Sequence, residues 1–134
     1  MTRGLLDTNI LILRADISAS DLPDEMAISA VTLAELADVV HSAGDEAERA
    51  RRVDILQRAE NEFAPLPFDA EAARRYGQVC AAVRAYGRTP RRRVADLMIA
   101  ATASVYGLPL YTTNPQDYAG LEGLVDVQTV ARPR

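Results

Sequence analysis

The sequence contains no tryptophan and no lysine, one cysteine and one histidine, and only 5% aromatic residues. Each scarcity removes a class of function. A lone Cys80 makes neither an internal disulfide nor a multi-thiolate metal site. It lies in an Ala/Val-rich helical stretch, where a free thiol behaves as a small apolar side chain. A lone His41, close to a helix end before Gly44, excludes multi-histidine metal centres and argues against a Ser-His-Asp triad. So few aromatics leave no stacking platform for single-stranded nucleic acid. No apolar run approaches the roughly 18 residues a membrane helix needs. The one apolar run near the start, Gly4 to Leu13, is broken by Asp7 and Asn9, so no signal peptide is predicted. The expectation is a soluble, cytoplasmic protein without a membrane partner. The net charge of −4 argues against generic nucleic-acid binding, so contact with an anionic polymer needs a local basic patch and bound cations.

What is present is a globular composition, 49% hydrophobic and 25% charged over 134 residues, enough for one core. A single domain over 1–134 is expected, with no repeat, linker or low-complexity segment. Short apolar runs predict strands at Gly4–Leu6, Met26–Ile28, Pro65–Phe68, Leu108–Thr112 and Val125–Val130. Between them, apolar spacing and end signals predict helices over Ile10–Ala15, Thr32–Ala43, Ala47–Glu62, Asp69–Tyr86 and Val94–Tyr106. Strands alternating with helices indicate an α/β fold: a central parallel sheet of five strands between two helical layers. In such sheets the functional crevice lies beyond the carboxyl ends of the strands.

Four acidic residues fall at that edge. Asp7 directly follows the first strand, and Asp117 follows the fourth within Thr112-Thr113-Asn114-Pro115-Gln116-Asp117-Tyr118. Glu35 and Asp96 lie near the starts of helices facing the same way. Each has an ordinary structural explanation. Asp7 or Thr8 caps a short helix, Thr32-x-x-Glu35 matches a capping box, and Asp96 and Asp117 complement helix N-termini. If the second helix instead begins at Ser29, then Ser29, Thr32 and Glu35 share a face and Glu35 reaches back toward the sheet edge. Taken together, four carboxylates in one place repel one another and persist as anions only if cations neutralise them. An all-oxygen donor set selects Mg²⁺ or Mn²⁺, ions that polarise phosphoryl oxygens and activate water.

The motifs Leu6-Asp7-Thr8-Asn9, Ser29-x-x-Thr32-x-x-Glu35-Leu36, Asp96-Leu97-x-Ile99-Ala100-Ala101-x-Ala103 and Thr112-Thr113-Asn114-x-x-Asp117-Tyr118 resemble those of PIN-domain proteins. The nearest likeness is to VapC-type toxins of bacterial toxin–antitoxin pairs, and it covers nearly the whole chain in order. The resemblance implies a PIN-like three-layer fold and a metal-dependent endoribonuclease acting on tRNA or ribosomal RNA. It also implies a cognate antitoxin, a homodimer or toxin–antitoxin hetero-oligomer, and products with 5′-phosphate and 3′-hydroxyl ends. By motif match, Asp7, Glu35, Asp96 and Asp117 form the catalytic and metal-holding centre, with Asn9, Thr113 and Asn114 in support. Asn114 stands where some members carry an acidic residue. Direct and water-mediated ligation by Asp117 therefore both fit the pattern, as do one ion and two.

Arg88, Arg91, Arg92 and Arg93, four arginines within six positions leading toward Asp96, are the expected RNA contact. Arg49, Arg51, Arg52 and Arg58 alternate with acidic residues and read as an exposed helix face. Two other functions compete. One is a haloacid-dehalogenase-like phosphohydrolase with Asp7 as nucleophile, although position 9 is Asn and the chain has no lysine. The other is a non-catalytic module whose acidic crevice receives a partner's arginine.

Overall fold

The computed structural model describes residues 1–134. Four strands, β1 (Arg3–Leu6), β2 (Glu25–Ala27), β3 (Leu110–Thr112) and β4 (Val127–Thr129), pair in parallel in the order β2-β1-β3-β4. Five helices connect them: α1 (Thr8–Leu13), α2 (Ala30–His41), α3 (Glu46–Glu62), α4 (Ala70–Ala85) and α5 (Val94–Tyr106). The chain runs from β1 outward to β2, then crosses back to β3 on the other side of β1. The order therefore reverses between β1 and β3, and a crevice opens at their carboxyl ends.

Leu5 and Leu6 show why β1 is central. Successive strand residues point to opposite faces. Leu5 packs with Val79, Leu97, Ala100 and Leu110 beneath α4 and α5, whereas Leu6 packs with Ile10, Ile28 and Leu36 beneath α1 and α2. Both are fully buried, as expected of a parallel strand covered on both sides. No helix is long and apolar enough to cross a membrane.

The expected fifth strand is a correction. Pro65–Phe68 contributes a single bridge, Leu66 to Ser29, in which Leu66 N–H donates to the Ile28 carbonyl at 2.9 Å and the Leu66 carbonyl accepts from Ala30 N–H at 2.9 Å. Prolines at 65 and 67 have no N–H to extend the ladder, so the sheet stops at four strands. Proline also shortens β3. Pro109 cannot donate, and Leu108 N–H caps the end of α5 at the Ala103 carbonyl instead.

Helix ends follow local chemistry. Asp45 and Asp69 cap α3 and α4, their carboxylates accepting from Glu48 and Ala72 N–H. Gly107 closes α5 at φ +65°, a conformation that costs glycine nothing. Of the residues of α5, Leu97 through Ala103 are buried except Met98, which makes this helix the spine of one core. Truncating its fully buried Leu97 to alanine should destabilise the fold by about 2–5 kcal/mol in urea unfolding, since a cavity remains among packed neighbours.

Candidate active site

β1 ends at Leu6, and its ladder with β3 continues for one more bond, from Asp7 N–H to the Tyr111 carbonyl at 3.1 Å. That register sets the Asp7 side chain beside Thr112, the last residue of β3. The Asp7 carboxylate then turns to cap α1, Oδ1 accepting from Ile10 N–H at 3.2 Å. The Tyr118 hydroxyl donates to its Oδ2 at 3.4 Å. Asp7 is 4% exposed. Burial pushes its carboxyl above the usual range, and the negative charge of Asp117 adds to this. Hydrogen bonds from Thr112, Ile10 and Tyr118 oppose the shift.

Ser29, not Thr32, caps α2, its hydroxyl accepting from Val31 N–H at 3.0 Å. The Thr32–Glu35 capping box therefore does not form, and Glu35 turns back toward the sheet edge. There the Thr8 hydroxyl donates to Glu35 Oε1 at 2.5 Å and lies 3.2 Å from Thr32 Oγ1. Asp96 enters from the first turn of α5. Its carboxyl is pushed up to about 6, chiefly by burial and then by the charges of Asp117, Glu35 and Asp7, with Arg93 opposing.

Asp7, Glu35 and Asp96 line one cleft of about 170 Å³, together with Thr8 and Asn9. Asp117 lies outside that lining. It sits on a 3-10 turn, Pro115–Tyr118, where Arg93 Nη1 binds its Oδ1. The other expected residues are placed as follows. Asn114 N–H donates to Thr112 Oγ1 at 2.9 Å, and the Thr113 hydroxyl is buried without a hydrogen-bond partner. Arg88 donates to the Gln116 carbonyl and stacks over Tyr86. Arg91 and Arg92 are exposed. Thr8, Thr112 and Tyr118 emerge as the groups that orient the carboxylates. The motifs contained all three, but their partners are 24 or more residues away in the chain.

The donors are all oxygens, as a hard divalent cation requires. No three acidic side chains close tightly enough to cage a bare ion. The cleft suits one that keeps part of its water shell, as Mg²⁺ usually does.

The PIN domain family model matches residues 4–121. The chain belongs to the PIN domain family. Ribonuclease VapC5 of Mycobacterium tuberculosis is 35% identical over 130 residues, 95% of this chain and 93% of that protein. Ribonuclease VapC8 of the same species is 36% identical over 103 residues, 76% of this chain and 91% of its own. A crystal structure of a member of the VapBC family of toxin-antitoxin systems, VapBC-5 from M. tuberculosis, superposes with a TM-score of 0.82 at 34% identity. The match covers 98% of this chain and 99% of that one. As a PIN domain, the chain is not a haloacid-dehalogenase-like phosphohydrolase.

Asp96 makes the acidic cleft of this PIN domain measurable. Its folded carboxyl titrates near 6, against 3.8 for the ordinary group. The folded chain thus holds more protons than the unfolded chain between those values. Stability of the cation-free protein falls as pH rises through that window and stays lower above it. Asp96→Asn should therefore raise the melting temperature at pH 8 by about 3–8 °C in EDTA, and by less at pH 4.5. Thermal denaturation followed by circular dichroism at both pH values checks this.

Proposed function

We propose that this PIN domain, over 1–134, is a divalent-metal-dependent endoribonuclease toxin, held inactive by a cognate antitoxin protein and acting on tRNA or ribosomal RNA in the cytoplasm. One observation carries the reading. Asp7, Glu35 and Asp96 come from three separate elements to line one cleft at the point where the sheet order reverses. Relatives named as ribonucleases at 35% and 36% identity support the choice of substrate. The VapBC-5 toxin–antitoxin structure supports the partner and a hetero-oligomer, either with or without homodimerisation of the toxin.

Asp7 and Asp96, with Glu35, are the residues that would hold Mg²⁺ or Mn²⁺. When bound, the cation supplies the positive charge that polarises the scissile phosphate and makes nearby water acidic enough to react at neutral pH. Asp7 is fixed for this task by Ile10 N–H and the Tyr118 hydroxyl. Glu35, held by Thr8, orients the attacking water and accepts its proton. The water oxygen bonds to phosphorus in line, and the bond from phosphorus to the 3′ oxygen breaks. The departing oxygen takes a proton from solvent, leaving 5′-phosphate and 3′-hydroxyl ends. Asn9, on the cleft wall, offers a polar contact to the substrate.

RNA phosphates approach along the arginine segment. Arg88 and Arg93 already have partners within the fold. Arg91 and Arg92 are the exposed pair left to meet the backbone.

Because Asp7 also caps α1, Asp7→Ala removes a helix cap along with a charge. Asp7→Asn keeps the cap acceptor and is the cleaner test. Asp7→Asn should lower the cleavage rate by about 100-fold or more without lowering the melting temperature in EDTA at pH 8, and EDTA should abolish wild-type cleavage. A purified Asp7→Asn protein cutting RNA at the wild-type rate would refute the mechanism. Metal-dependent cleavage also separates an enzyme from a non-catalytic module.

In the inactive Asp7→Asn background, replacing Arg91 and Arg92 by glutamine should reduce the slope of log affinity against log salt by about 1–1.5, roughly 0.7 per phosphate contact with single-stranded RNA. Filter binding between 50 and 200 mM salt measures this.

A further inference from the structure

A second cavity, about 770 Å³ and open to solvent, is larger than the acidic cleft. Pro115, Gln116 and Tyr118 line it, whereas Asp117 between them binds Arg93 and is the strongest charge acting on Asp96. The Pro115–Tyr118 turn is therefore a wall between this cavity and the acidic centre. Tyr86 also lines the cavity and is 57% exposed. Its ring is mounted rather than loose. The stem rests on Gly120, where φ is +91° and a Cβ would lie 2.7 Å from Tyr86 Cβ. Arg88 holds its guanidinium 5.6 Å from the ring centroid and donates to the Gln116 carbonyl, which ties the ring to the turn. Deeper in the cavity Tyr118 and Val125 are apolar and buried, and Glu122 and Asp126 add carboxylates to the wall.

We infer that this cavity is a nucleobase subsite for the RNA substrate, in which Tyr86 stacks one unpaired base and Glu122 selects guanine. The inference rests on the ribonuclease reading and adds a specificity determinant to it. The chain is too poor in aromatics to stack a run of bases, but one ring serves one base. A ring already held in place loses little further freedom when a base lands on it, so more of the stacking free energy appears as binding. Arg88 is the positioning residue for that ring. The carboxylates decide what else fits. They only accept hydrogen bonds, so they suit a ligand edge rich in N–H donors better than an apolar partner face. Asp126 already accepts from Gln128 Nε2 at 2.9 Å, which leaves Glu122 as the freer acceptor. Guanine offers adjacent N1–H and N2 amino donors on its Watson–Crick edge, whereas uracil offers one N–H between two carbonyls that a carboxylate repels. The same carboxylates repel phosphate, so the base points inward and the backbone stays outside. Continuity through the Pro115–Tyr118 turn puts that base near the scissile phosphate.

Cleavage of a randomised single-stranded RNA library by the full chain with Mn²⁺, read by sequencing the new 5′ ends, tests this. Wild type should show one position near the cut where guanine is favoured over uracil by about fivefold or more. Tyr86→Ala should erase that preference. On a short RNA of the preferred sequence it should raise KM by about fivefold or more with kcat within about twofold, because one base stack is lost and the acidic centre is untouched. Tyr86→Phe keeps the ring and should restore both. Glu122→Gln adds an amide donor and should cut the guanine-over-uracil ratio to about twofold or less. Glu122 is exposed, so this variant keeps the test valid if Tyr86→Ala disturbs the end of α4. Cleavage without any base preference, or a preference unchanged in both variants, would overturn the subsite and leave the nuclease intact. Loss of preference in Tyr86→Ala but not in Glu122→Gln would overturn the role of Glu122. A changed oligomeric state of Tyr86→Ala in sedimentation velocity, with base preference unchanged, would make the cavity an interface between copies and overturn the inference. No metal-dependent cleavage by wild type would overturn the ribonuclease reading and the subsite with it.

Discussion

The bond from Asp7 N–H to the Tyr111 carbonyl joins the end of β1 to β3, and the geometry of the site depends on it. It holds Asp7 at the carboxyl end of the sheet where the strand order reverses, with Thr112 alongside. The next residues begin α1, so the same carboxylate caps a helix and faces a cleft. A slip of one residue in this register would carry Leu5, Leu6 and Asp7 to the wrong faces of the sheet. Both cores resist that slip, because Leu5 fills one and Leu6 the other.

Once the backbone is set, electrostatics governs what the site tolerates. Burial and mutual repulsion raise the carboxyls of Asp7 and Asp96. The fold answers with specific neutral donors, namely Ile10 N–H and the Thr112 and Tyr118 hydroxyls around Asp7, and Thr8 against Glu35. Only Asp117 receives a full positive charge from within the chain. The centre is therefore under-neutralised, which destabilises it as an empty site and suits it to a cation. Such stored repulsion is common where binding energy is later used for chemistry.

Much of this was legible in order along the chain. Four motifs pointed to the PIN family, and α5 runs over Val94–Tyr106 as its apolar pattern and Gly107 predict. The Asp69 cap of α4 was also readable, because caps and glycine stops act over a few residues. The fifth strand failed for an equally local reason that the apolar reading underweighted, the prolines flanking Leu66. At Glu35 the pattern allowed both a capping box and a turn toward the sheet. The Ser29 cap decided between them, since it starts α2 early enough to free Glu35 for Thr8.

By itself, then, the sequence determined the α/β class, most element ends, the oxygen-only chemistry of the centre and the family. These depend on residue type and short-range spacing. Tertiary structure alone decided which carboxylates share a cleft, that Tyr118 reaches Asp7 across 111 residues, and that one of four neighbouring arginines is bound to Asp117 rather than free for RNA. Those outcomes turn on distances between groups remote in the chain. Electrostatic and hydrogen-bond energies depend on separation in space and on local burial, and neither is defined until the strands have chosen their register.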